Sequence, residues 1–289
     1  MVAQALAGFP GAEVDLEDGS VTVSREAWKK QRAVVLDQAL TKEPLQTRID
    51  AEFPQEAFSL WRPFLWEIQE RGISHVKAQL AGPFTIWMSL TNAPEIRNWE
   101  AHDRVLLQQD ILRWLIQKAT DWQESLRLQG TSLVLFWDEP ALVALDLSSL
   151  VQNTLLVDLR TCVDAVKRLG AQVGIHCCGQ THWAKLLEMK PHFLSFDAGL
   201  SLAEIIAEAS HLEAFCDSGG ILAPGVISSH LNAAQARASL LSIPECFRSS
   251  LLLSPCCGLG LSSMSEAERI EGELATLRSL LVSDLGTRY

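Results

Sequence analysis

The chain has 289 residues, with 24 Lys+Arg against 35 Asp+Glu and a formal net charge of −11. Hydrophobic residues make up 48% and charged ones 20%, which supplies a large core and excludes a disordered chain. The acidic excess excludes extended contact with a nucleic-acid backbone, which needs clustered Lys/Arg.

No apolar run reaches the roughly 18 residues of a membrane-spanning helix. The start, MVAQALAGFPGAEVD, lacks the basic and apolar regions of a secretory signal. A cytoplasmic protein with neither membrane nor nucleic-acid partners is expected. In a reducing compartment its seven cysteines read as metal ligands or spare thiols, not as a disulfide framework.

No repeat, low-complexity tract or linker divides the chain, so a single domain over 1–289 is expected. Residues 1–30 read as a small β excursion: Glu13 to Leu16, a turn at Glu17-Asp18-Gly19, then Val21 to Val23. Helices follow over 26–40 and 55–72. After them, short apolar strands alternate with helices. The strands are 74–80, 132–137, 171–176, 192–197, 219–223 and 249–254, and the helices 95–128, 147–169, 181–189, 201–215, 232–242 and 264–283. This rhythm predicts an α/β fold whose parallel sheet is covered by helices. Six such units suit most of a (β/α)8 TIM barrel or an open doubly wound sheet. Asp138, His176, Asp197, Cys257 and the Gly82-Pro83 turn all fall at C-terminal ends of different strands, where a barrel gathers its site residues. No G-x-G-x-x-G follows the first strand, so the barrel is preferred.

Two Cys-Cys pairs carry the chemistry. In Gly174-Ile175-His176-Cys177-Cys178-Gly179, strand alternation points His176 and Cys178 one way and Cys177 the other. Leu253-Ser254-Pro255-Cys256-Cys257-Gly258 offers a second thiolate, and Phe196-Asp197-Ala198 a carboxylate. An imidazole, two thiolates and a carboxylate suit Zn²⁺ better than Mg²⁺ or Ca²⁺. Spacing alone leaves this open, because buried cysteine is also a common small hydrophobe. Cys162, Cys216 and Cys246 lie in helical or connecting segments and read as structural.

Taken in order, several segments resemble the catalytic barrel of cobalamin-independent methionine synthase, and more closely its short single-barrel "core" relatives. They are Lys77-Ala78-Gln79-Leu80-Ala81-Gly82-Pro83, Trp137-Asp138-Glu139-Pro140-Ala141-Leu142, the His176 and Cys257 segments above, Leu194 to Ala198, and Gly219 to Gly225. The likeness spans roughly residues 74–260. It implies a barrel of the methionine synthase/uroporphyrinogen decarboxylase type, with His176, Cys178, Cys257 and Asp197 as zinc ligands. Asp197 stands where the methionine synthases usually have Glu, one methylene longer. Asp138 matches the acid that holds the amino group of homocysteine; its alternative is a helix N-cap before Pro140. Glu139 would stand behind it. His230, five residues after Gly225, falls where the family has a histidine near the metal that acts in proton transfer, although Ile227-Ser228-Ser229 departs from the family's acid-containing run.

The implied reaction moves a methyl group onto a small thiol, homocysteine to methionine first of all. The donor expected for a short relative is methylcobalamin or a corrinoid carrier protein. The alternatives are transfer to another thiol coenzyme, or a non-catalytic zinc-binding subunit that needs a partner chain. Relatives begin with a Gly-Ser-Leu-Pro-His-like strand that this sequence lacks. One or two barrel strands are therefore expected to be missing or altered, leaving sheet edges for a second copy or a partner chain to cover.

Overall fold

The computed structural model describes residues 1–15, 17–38, 61–228, 231–248, 251–259 and 262–285. Its longer-range strands are β3 (His75–Ala81), β4 (Ser132–Asp138), β5 (Gln172–Cys177), β6 (Phe193–Asp197), β7 (Ile221–Ile227) and β8 (Ser254–Pro255). β3 and β4 pair in parallel, as do β5, β6, β7 and β8 in succession. Among the described residues these parallel strands number six, fewer than the eight of a closed (β/α)8 barrel. The shortfall lies at the start. There β1 (Ala12–Val14) and β2 (Val21–Val23) form a separate antiparallel hairpin, with Gly19 at φ 75° in the connection.

By its internal contacts the chain divides into two units. One is Met1–Ala141 with Asp146–Val173, and the other Leu142–Leu145 with Gly174–Tyr289.

In the first unit the helices are α1 (Val2–Leu6), α2 (Arg25–Gln38), α3 (Trp61–Arg71), α4 (Pro83–Thr91), α5 (Pro94–Arg97), α6 (Ala101–Arg127) and α7 (Leu150–Arg168). The helix expected over 95–128 is two, broken at Trp99-Glu100, and α4 before it was not expected at all. Pro83 and Pro94 stand at first-turn positions, where a missing N–H costs nothing. α1 is also unexpected: five residues without a side-chain cap give no periodic signal. It persists because α6 supplies donors to its last carbonyls, Trp114 Nε1 to Ala5 O at 2.9 Å and Lys118 Nζ to Ala7 O at 3.3 Å.

α2 is fastened to α6 through Asp110, which is fully buried. Arg32 donates to its two oxygens at 2.6 and 3.0 Å, and Trp28 Nε1 donates at 3.1 Å. Trp28 stacks on Trp99 at 5.4 Å.

In the second unit the helices are α8 (Trp183–Leu187), α9 (Ala198–Ala207), α10 (Ala209–Asp217), α11 (Ala233–Leu241), α12 (Glu245–Arg248) and α13 (Met264–Leu285). The single helix expected over 201–215 breaks at Glu208, whose ψ of 45° is not helical. The strand expected to stop near 223 runs through Pro224 and Gly225 to Ile227, despite the donor Pro224 lacks. The strand expected over 249–254 contracts to Ser254–Pro255 plus a bridge at Leu251; residues 249 and 250 lie outside the described residues. No helix among the described residues is long and apolar enough to cross a membrane.

Candidate active site

The two Cys-Cys pairs sit at C-terminal ends of β5 and β8, and in each pair one cysteine is more buried than its neighbour. Cys177 is fully buried, its thiol directed to Gly179 O at 3.5 Å, while Cys178 is half-buried. Cys256 is buried and directs its thiol to Gly225 O at 3.3 Å, while Cys257 is exposed. The more exposed members are electrostatic neighbours: Cys178 acts on the Cys257 thiol. Partial burial, then the neighbouring Cys178 and Asp197, hold the Cys257 thiol above its usual range. Burial, then Asp197, push Cys256 up to about 12.

His176 is ordered by its register partner on β6: its Nδ1 lies 3.0 Å from Ser195 Oγ. Such a partner sets ring orientation and tautomer in a metal-binding histidine. Asp197 caps α9, accepting from Gly199 N at 2.8 Å, and its charge acts on the Cys256 and Cys257 thiols. Among the described residues no three His, Cys, Asp or Glu side chains converge closely enough to hold a metal. His230 lies outside the described residues.

The second pair is fixed by a close approach of β7 and β8. A Cβ on Gly225 would lie 2.6 Å from Cys256 Cα and 2.8 Å from Pro255 O, which are backbone atoms and cannot swing aside. Gly225→Ala is therefore expected to push the 255–257 segment off β7 and expose the Cys256 thiol. The rate of modification of Cys256 by a thiol reagent should rise roughly tenfold; an unchanged rate would show that the segment is held by something else.

In the first unit, Asp138 ends β4 and is buried. Burial holds its carboxyl above the usual range, against hydrogen bonding from Gln79 and the charges of Lys77 and the Met1 amino group. Gln79 Nε2 donates to both of its oxygens at 2.9 Å, and Lys77 Nζ donates to Gln79 Oε1 at 2.8 Å. Asp138, considered as a cap for the turn at Pro140, accepts from Gln79, while its neighbour Glu139 serves a different helix. Fully buried, Glu139 accepts from Phe84 N at 3.0 Å and Thr85 N at 2.6 Å, in the first turn of α4. Burial pushes its carboxyl up to about 7, with those hydrogen bonds opposing.

Lys77, Gln79 and Ser195 are site residues that sequence reasoning missed. The period-2 spacing of Lys77 and Gln79 on a strand was the available signal; Ser195 becomes legible only once β5 and β6 are in register.

No protein-family profile and no curated protein matches the sequence. Among solved structures the fold is similar to that of a methyltransferase from Methanosarcina mazei, at 14% identity and a TM-score of 0.54, over 97% of this chain and 78% of that one. At that identity the likeness is one of fold: an α/β architecture with a parallel sheet shared along almost the whole of this chain.

Proposed function

We propose that the protein is a methyltransferase that moves a methyl group onto the thiol of a small acceptor, homocysteine first, giving methionine. The observation that carries the reading is that Cys178 and Cys257 follow the ends of two strands as electrostatic neighbours, in a fold shared with a methyltransferase. The donor set fits zinc in kind: two thiols and an imidazole oriented by Ser195 are soft and borderline ligands. His176, Cys178 and Cys257 would hold the ion, with Asp197 as fourth ligand if it leaves its cap. Zinc, when bound, holds a coordinated thiol as thiolate at neutral pH.

The chain's own residues supply the rest. Ser195 fixes the imidazole, Gly225 and the Cys256 contact fix the 255–257 segment, and Asp138 receives the acceptor's ammonium. His230 is assigned the proton transfer. Methylcobalamin, free or on a corrinoid carrier protein, is the proposed donor, and a second copy or partner chain the proposed cover for the sheet edges.

The test has two readouts. Purified protein should carry about one Zn²⁺ per chain, and Cys257→Ser should lose most of it. Incubation with homocysteine and methylcobalamin should release methionine. Zinc retained in a Cys178→Ser, Cys257→Ser double variant overturns the ligand set. Methylation of a different thiol, with homocysteine inert, would select the coenzyme alternative; full zinc with no turnover on any thiol would select the non-catalytic subunit.

A further inference from the structure

Parallel register places His75, Lys77 and Gln79 of β3 on the same sheet face as Ser132, Val134, Phe136 and Asp138 of β4. The opposite face, with Val76, Leu80, Leu133, Leu135 and Trp137, is buried. On the polar face Lys77 and Gln79 are exposed, whereas Asp138 at the end of the row is buried. The Lys77 ammonium lies 4.7 Å from the centre of the Phe136 ring.

Gln79 connects the two charges. Its acceptor end takes a hydrogen bond from Lys77 at 2.8 Å, and its donor end gives to both oxygens of Asp138 at 2.9 Å. The network fixes which way the amide points. An α-amino acid head group has the same polarity and nearly the same reach. Its carboxylate oxygen and ammonium nitrogen are joined through one more bond than the oxygen and nitrogen of an amide. That places them about 2.7 Å apart, against about 2.3 Å in the amide. With hydrogen bonds of ordinary length at each end, either group spans the distance from Lys77 to Asp138.

We propose that Lys77 binds the carboxylate of an α-amino acid whose ammonium is held by Asp138, and that Gln79 is the internal group the substrate displaces from between them. The inference rests on the reading of Asp138 as the ammonium acceptor and adds to it a second anchor and a latch. Two charges of opposite sign at fixed spacing select a zwitterion over a simple amine or a simple acid, because an unmatched end leaves a charged group poorly paired. Crowding already holds the Lys77 ammonium below the usual lysine range, against the pull of Asp138, so an arriving carboxylate meets a cation that gains from a further anionic partner. Gln79 is exposed, so it can swing outward without disturbing the core.

The experiment is calorimetric titration of the purified full chain with three probes under reducing conditions. They are L-homocysteine, its decarboxylated analogue 3-aminopropane-1-thiol, and its deaminated analogue 4-mercaptobutanoate. Wild-type protein should bind L-homocysteine at least tenfold more tightly than either analogue. Lys77→Met should reduce homocysteine affinity to that of the aminothiol and leave aminothiol affinity unchanged; Lys77→Arg should restore most of the loss. Asp138→Asn should weaken homocysteine and aminothiol alike, and Gln79→Ala should strengthen homocysteine binding by removing the competitor. Equal weakening of homocysteine and aminothiol in Lys77→Met, or no change in either, overturns the Lys77 assignment while the Asp138 reading stands. Unchanged homocysteine affinity in Asp138→Asn overturns that reading and this inference with it.

Discussion

Asp110→Ala is expected to destabilise the first unit by about 3 kcal/mol, the scale for removing one partner of a buried ion pair. The carboxylate is fully buried and accepts three hydrogen bonds from two α2 residues, Trp28 and Arg32. Alanine strips all three and leaves the indole N–H and the guanidinium without their acceptor. Arg32 keeps 27% of its side chain in solvent, so water recovers part of the loss. The companion variant Asp110→Leu, Arg32→Met removes both charges and should recover more than half of the deficit, because the penalty lies in the orphaned charge. All but Trp183 of the nine tryptophans belong to the first unit, so tryptophan fluorescence in a urea titration reads this change directly. A loss below about 1 kcal/mol would place Asp110 among ordinary surface pairs and remove α2 from the structural core.

This latch was invisible in the sequence, and the reason is general. Arg32 and Asp110 are 78 residues apart, and no local pattern announces a pair at that separation. The strand–helix rhythm was legible because it is local. β3, β4, β5 and β6 fall within a residue or two of the segments read from apolar runs. The segments that went astray obey tertiary constraints instead. α1 exists because Trp114 and Lys118 reach its carbonyls, and β7 continues past Pro224 because β6 and β8 flank it.

The candidate site divides along the same line. Alternation along each strand singled out Cys178 and Cys257 to face a barrel interior; in the structure Cys178 is half-buried and Cys257 exposed, while Cys177 and Cys256 are the buried members. What alternation does not encode is which groups meet across strands. Asp197, read as a zinc ligand from its place at a strand end, also caps α9 by accepting from Gly199 N. Asp138 and Glu139 are adjacent in sequence, and strand alternation sends them to opposite faces. One therefore joins the polar row of Lys77 and Gln79, and the other turns under α4 to cap it. Composition cannot distinguish two neighbouring carboxylates; only the position of α4 does.

That cap sets the second large effect, Gly82→Ala. A Cβ at position 82 would lie 2.2 Å from Glu139 Oε1 and 2.5 Å from its Cδ. Glu139 has no ready retreat, since it is fully buried and both its oxygens are held by α4 backbone N–H groups. Accommodating the methyl must break one or both bonds or move β3 from β4, for an expected cost of about 4 kcal/mol when overpacking and lost helix-end bonds act together. A double-mutant cycle isolates the cause. If the clash with Glu139 is responsible, Gly82→Ala in a Glu139→Ala background should cost little; full additivity of the two losses would refute the contact. The pH dependence supplies an independent check. With its carboxyl raised to about 7 from an ordinary 4.5, Glu139 stays protonated in the folded chain while the unfolded chain has already ionised. Its contribution to stability is therefore largest at low pH, declines as pH rises between about 4.5 and 7, and is constant above that, a fall of about 3 kcal/mol. Glutamine removes the slope and leaves one helix N–H facing an amide N–H₂. Glu139→Gln should accordingly be less stable than wild type at pH 5 and draw level with it or exceed it at pH 8. A difference between the two proteins that does not change across this range would show that Glu139 is ionised throughout, held so by the end of α4.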